Sequence, residues 1–160
     1  MDALGCKAWT IRQSQNLWGQ PVGPEGAQPD IGLFLIYGPC FGLVRSENDA
    51  VIRTMFGPVL DDVERTARVY RRDQQIARYQ RYAVVKLKRP GAFVEGSGGV
   101  SALYQDCSEH AVAKLWQMHR LQQEFPDIVK LKDGDVADMD APFRFIRRSA
   151  AAARMDHPKD

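Results

Sequence analysis

A chain of 160 residues with 44% hydrophobic and 26% charged content can bury a core of its own and is too apolar for wholesale disorder. A formal net charge of +2 does not by itself mark a nucleic-acid binder. The three cysteines, Cys6, Cys40 and Cys107, are far apart and lack CxxC spacing, which argues against a disulfide framework and for an intracellular, reducing compartment, an organelle matrix included.

The start Met1-Asp2-Ala3 has no basic stretch followed by an apolar run, so no secretory leader is expected. Leu4, Ala8, Ile11 and Trp18 recur at helical spacing and suggest a short N-terminal helix. Between Gly19 and Pro29, prolines and glycines alternate too densely for a helix, and the segment reads as an extended arm. From Ile31 to Val44 the chain is uncharged and mostly apolar. A membrane-spanning helix needs about 20 such residues, and this run is shorter and broken by Gly32, Gly38, Pro39 and Gly42. A buried β-hairpin turning at Gly38-Pro39 is the preferred reading over a membrane segment at 31–44.

Ser46, with Asp49 three residues later, offers a cap for a short helix stopping at Gly57-Pro58. The next helix is expected over about residues 58–80. On a helical projection, Leu60, Val63, Ala67, Tyr70 and Ala77 share one side, and Arg65, Arg68, Arg72 and Tyr79 share the other. That spacing sets Arg65, Arg68 and Arg72 facing solvent, where replacement by glutamine would leave folding nearly intact. A strand follows over 82–88 and ends at Pro90-Gly91. Asp106 with Glu109 resembles a capping box for a helix over 107–125, whose inner stripe is Cys107, Ala111, Leu115, Met118, Leu121 and Phe125. Val112, Trp116 and His119 form a second stripe, to be covered by another layer of the domain or by a partner. Residues 128–131 and 143–147 read as short strands flanking an acidic loop. The expected fold class is α+β: a hairpin and two further strands packed by two long amphipathic helices. One domain spans 31–148, with an arm over 1–30 and a tail over 149–160.

The basic segment carries the strongest functional signal. Residues 65–89 hold nine cations against one anion, Asp73, with Tyr70, Tyr79 and Tyr82 interleaved. Such a cluster suits a phosphate backbone, RNA or DNA, or an acidic protein surface; a solvated helix face is the alternative. The residues expected at such a contact are Arg65, Arg68, Arg71, Arg72, Arg78, Tyr79, Lys86 and Lys88. Trp116, His119 and Trp18 are candidates for protein contact.

Catalytic and metal motifs are incomplete. Cys107 at a helix start with His110 one turn on is badly placed for a thiol–imidazole pair and has no orienting third group, so packing is preferred. Cys107 and His110 supply two ligands where a structural zinc needs four. Asp133, Asp135, Asp138 and Asp140 lack EF-hand spacing and read as a solvated loop. Gly96-Ser97-Gly98-Gly99 lacks the lysine and hydroxyl of a phosphate-binding loop. No cofactor and no metal site are expected. The leading expectation is a non-catalytic subunit of a larger assembly, such as an organellar complex, ribosome or virion, that binds other protein subunits through its arms and Arg-rich helix. A stand-alone nucleic-acid-binding domain is second, and an enzyme with a cysteine-based site third.

Overall fold

A computed structural model describes residues 5–13, 28–36, 40–84, 107–132 and 143–146. The fold is mixed α+β, with two helices and six strands in two sheets among the described residues. In chain order these are β1 (Ala8–Gln13), β2 (Asp30–Gly32), β3 (Phe41–Leu43), a 3₁₀ turn (Asp49–Ile52), α1 (Asp61–Asp73), β4 (Ile76–Val84), α2 (Cys107–Glu124), β5 (Val129–Leu131) and β6 (Phe143–Phe145).

The larger sheet has the order β2-β4-β1-β3. Two local expectations change here. Ala8–Gln13, expected as helix, is a strand in the middle of the sheet, paired in parallel to β4 and antiparallel to β3. Ala8 and Thr10, two apart on one face of the strand, are buried, while Trp9 and Ile11 on the other are half-buried; a six-residue segment is too short to separate that pattern from helical spacing. The folded unit therefore takes in residues from the stretch read as the N-terminal arm. Second, the 31–44 run is not a hairpin. β2 pairs with β4 and β3 with β1, so the two strands lie on opposite edges of the sheet, and Leu33 and Ile36 between them enter the core. No helix of the described residues is long and apolar enough to cross a membrane.

Gly42 has a packing role in β3. The indole of Trp9 lies against it, where any Cβ would collide with the ring. Trp9 also meets Tyr79 edge to face, with ring centroids 6.3 Å apart.

α1 ends sooner than expected. Gln74 adopts a left-handed conformation (φ 58°), its N–H donates to the Tyr70 carbonyl, and Ile76 already lies in β4. The Ala, Arg and Gln residues of 74–81 have no helix-stop signature, because intrinsic propensity is a weak prior against pairing in a sheet centre. Arg78 and Tyr79 are consequently strand residues. The strand expected at 82–88 overlaps the last three residues of β4, and 85–88 lie outside the described residues. α2 matches its expected span closely, and Met118, Leu121 and Phe125 of its inner stripe are buried. β5 and β6 pair antiparallel as a separate two-stranded sheet, close to the strands expected at 128–131 and 143–147. Of the cap expected at Ser46 only the acidic half forms: Ser46 N–H donates to Asp49 Oδ2 at 3.0 Å, whereas the element is a 3₁₀ turn that starts after Asn48 with no side-chain cap and stops short of Gly57.

α1 is packed on three sides. Val63 and Ala67 join Leu33, Phe56, Leu60, Met118, Leu121 and Phe125 in the main core with α2. Val69 joins Ala8, Ile36 and Ile76 against the sheet. The 41–56 stretch covers the remaining side, where the arginines stand. Polar anchors hold these layers in register. Thr66 Oγ1 accepts the Ile36 N–H at 2.8 Å and donates to the Asp62 carbonyl at 2.7 Å. Gln117 of α2 accepts the Leu60 N–H at 2.9 Å, satisfying a backbone donor at the start of α1.

Asp62, in the first turn of α1, is largely removed from water, and that burial raises its carboxyl pKa above 3.8. The folded state therefore favours the protonated form. The associated stability is present below the unfolded value and is lost as pH rises through the raised folded value. At neutral pH the ionised carboxylate is a cost. The Asp62→Asn variant is expected to melt higher than wild type at pH 7, with the difference shrinking as pH falls toward 4. Thermal unfolding followed at both pH values checks this, and an equal difference at both would count against a desolvated Asp62.

Candidate functional site

The arginines do not form an open basic face. Arg65 stacks over the Phe41 ring, 4.7 Å from its centroid, and pairs with Asp61 one turn back. Arg68 lies over Phe56 and Phe125 and bonds Glu64 at 2.7 Å. Glu64 is 1% exposed and also accepts the N–H groups of Met55 (2.8 Å) and Phe56 (2.9 Å), which fastens the 53–57 segment to α1. Arg72 bridges Asp73 (2.7 Å) and Asp49 (2.9 Å). Its side chain is 9% exposed and that of Asp73 6%. The Asp73 hydrogen bond, opposed by burial, raises the pKa of Arg72; the Ser46 N–H, then Arg72, lowers that of Asp49.

Solvent-facing positions for Arg65, Arg68 and Arg72 are therefore corrected. Their side chains are 16%, 14% and 9% exposed. A long arginine stem can cover aromatic rings while its head group pairs at the margin, so a basic stripe opposite an apolar one need not face water. Arg71 is the more exposed member. It lies 4.2 Å from the Phe125 ring centroid, bonds the Glu124 carbonyl and approaches the Asp127 carboxylate at 3.4 Å. Arg78, on β4, pairs with Asp30 at 2.7 Å and covers Phe34.

Five arginines of the basic segment thus meet seven carboxylates: Asp30, Asp49, Asp61, Glu64, Asp73, Glu124 and Asp127. A shallow groove of about 410 Å³ runs past Arg68, Arg71, Arg72 and Phe125, but Glu124 lines it too and each arginine already has an anionic partner. For these five arginines the charge is matched within the fold, by Asp61, Glu64 and Asp73 close in the chain and by Asp30, Asp49, Glu124 and Asp127 far along it. Tyr79 is half-buried against Trp9. Lys86, Lys88 and Trp18 lie outside the described residues, as do Gly96–Gly99 and the acidic loop 133–140.

The second stripe of α2 is where exposed apolar surface gathers. Val112 is 66% and Trp116 53% exposed, and His119 is exposed beside them. Arg120 lies 5.6 Å over the Trp116 ring and 5.1 Å over Phe56, linking the stripe to the 53–57 segment, where Met55 is 74% exposed. Arg120 carries no sequence signal of its own: it stands four residues after Trp116 on α2, and the docking of 53–57 brings Phe56 to its guanidinium.

Burial, with Asp73 adding its charge, pushes the Cys6 thiol pKa up, which keeps Cys6 protonated in the core. His110 lies on the first turns of α2, whereas the Cys107 side chain is outside the described part. Among the described residues no group of three or more His, Cys, Asp or Glu side chains could hold a metal ion. Comparison with protein-family models, with curated proteins and with solved structures finds no match to this chain.

Proposed function

We propose that the protein is a non-catalytic subunit of a larger assembly, docking on another protein through the outward stripe of α2. The observation that carries this reading is the exposure of Trp116 beside Val112 on a helix whose other stripe is already in the core. Tryptophan, arginine and methionine are enriched where proteins meet, and a stacked Trp–Arg pair presents a rigid, partly apolar anchor. Flanking segments outside the described residues, 14–27 and 147–160, would add contacts in the manner of arms. Nucleic acid is the weaker reading, because the arginines of α1 are engaged by carboxylates of the same chain.

The test is affinity purification of the tagged protein from its native cells, wild type against the V112S/W116S variant. Both side chains are more than half exposed, so the variant should keep its melting temperature within a few degrees. Loss of an anchor worth about 2 kcal/mol or more lowers affinity by at least about tenfold. The expected result is a stoichiometric protein partner with wild type that is depleted with the variant. A partner set unchanged by the substitutions, or one released by nuclease, would sink the proposal.

A further inference from the structure

β3 is an edge strand with a basic groove alongside. In its antiparallel ladder with β1, Trp9 faces Gly42, and the Val44 N–H donates to the Lys7 carbonyl at 2.7 Å. Hydrogen-bonded and non-bonded pairs alternate in such a ladder, so the N–H and C=O groups of Phe41 and Leu43 point away from β1. No strand of the described residues pairs with that side. An edge with open donors and acceptors is a template for one more strand.

The groove beside it measures about 540 Å³ and is walled by Phe41, Leu43 and Ile52 and by Arg45, Arg53 and Arg65. Residues of β3 line it and none of β1 does. Its one carboxylate, Asp49, is already bound by Arg72 and the Ser46 N–H. Arg45 and Arg53 are exposed, with no ion pair among the described residues. Arg65 holds Asp61 with one nitrogen, while its Nη1 is buried with no hydrogen-bond partner. Arg45 and Arg53 thus differ from the α1 arginines, Arg65 among them, whose charges are matched by carboxylates of the fold.

We infer that the outer edge of β3 and this groove bind an extended, carboxylate-rich peptide segment by strand addition. Alternation along an added strand puts every second side chain on the face that carries Phe41 and Leu43. Acidic residues at those positions reach Arg45, Arg53 and Arg65, and the peptide backbone meets Phe41 and Leu43. This surface is separate from the α2 stripe, and its occupation does not depend on that stripe having a partner.

The experiment uses the full chain and a fluorescein-labelled hexapeptide of alternating glutamate and valine, read by anisotropy. Three controls accompany it: the lysine–valine counterpart, the same acidic peptide N-methylated at alternate residues, and a labelled single-stranded oligonucleotide. The proposal expects saturable binding of the acidic peptide, at least about tenfold weaker binding by the R45E/R53E variant, and a comparable loss on N-methylation, which removes strand hydrogen bonds without changing charge. Should R45E/R53E fail to fold by circular dichroism, the methylated peptide on wild type still decides. No binding of the acidic peptide, equal binding of the lysine or methylated peptide, or oligonucleotide binding that R45E/R53E abolishes while peptide binding persists would each overturn it.

Discussion

Replacing Arg65, Arg68 and Arg72 together by glutamine is expected to unfold much of the protein at temperatures where wild type is native. Arg68 is the counter-charge to Glu64, and Arg72 to Asp73, and both carboxylates are almost wholly buried. Removing the cation leaves a buried anion with part of its hydrogen bonding gone, which is worse than never having buried the pair. Arg65 and Arg68 also cover Phe41, Phe56 and Phe125 with their guanidinium planes. The combined loss is about 5 kcal/mol, against a total stability of roughly 5–15 kcal/mol for a domain of this kind. Urea denaturation followed by tryptophan fluorescence measures it. A variant within about 1 kcal/mol of wild type would mean that these pairs are solvent-screened surface contacts. Arg71→Gln is the internal comparison: its side chain and both partner carboxylates are about half exposed, and it should cost under about 1 kcal/mol.

Phe125→Ala is expected to cost about 3–5 kcal/mol, the range for truncating a buried aromatic. Phe125 follows the last turn of α2 and is 1% exposed. Its ring packs against Phe56, centroids 6.4 Å apart, and beneath Arg68 and Arg71. Its carbonyl accepts the N–H groups of Ile128 and Val129, so the same residue steers the chain into β5. Its position at the junction of α1, α2 and the 53–57 segment leaves little freedom to close the cavity. The same denaturation series reads the effect, and Phe125→Leu should recover more than half of the loss. A cost under 1 kcal/mol would show that α2 is not held against α1 through this ring.

The two outcomes bear on function through one contrast. The Arg-rich helix is a structural spine, whereas the exposed Val112 and Trp116 lie on α2 and the cations without an ion pair among the described residues, Arg45 and Arg53, lie beside β3. Variants of the first kind should fail by unfolding. Variants at Trp116, Arg45 and Arg53 should fold and fail to bind.

The α+β class, the span and inner stripe of α2 and the short strands near 128–131 and 143–147 were legible in the sequence, whereas the exposure of Val112 and Trp116 came with the fold. Each legible feature rests on a local signal: a long 3.6-residue period closed by a proline, or a short β-branched run. The tertiary structure alone also decided pairing. β1 lies beside β4 because two distant segments meet in the sheet centre, and no period over six residues could announce that. The apolar run at 31–44 divides between two edges because β4 and β1 occupy the space where its own hairpin would close. The arginines of α1 changed most, from an exposed basic face to an internal network. Their partners Asp49, Glu124 and Asp127 lie far along the chain, and charge counted in a sequence window omits carboxylates that folding brings within 4 Å. Arg45 and Arg53 are two ordinary loop arginines in the sequence and become the rim of a groove only once β3 takes the sheet edge.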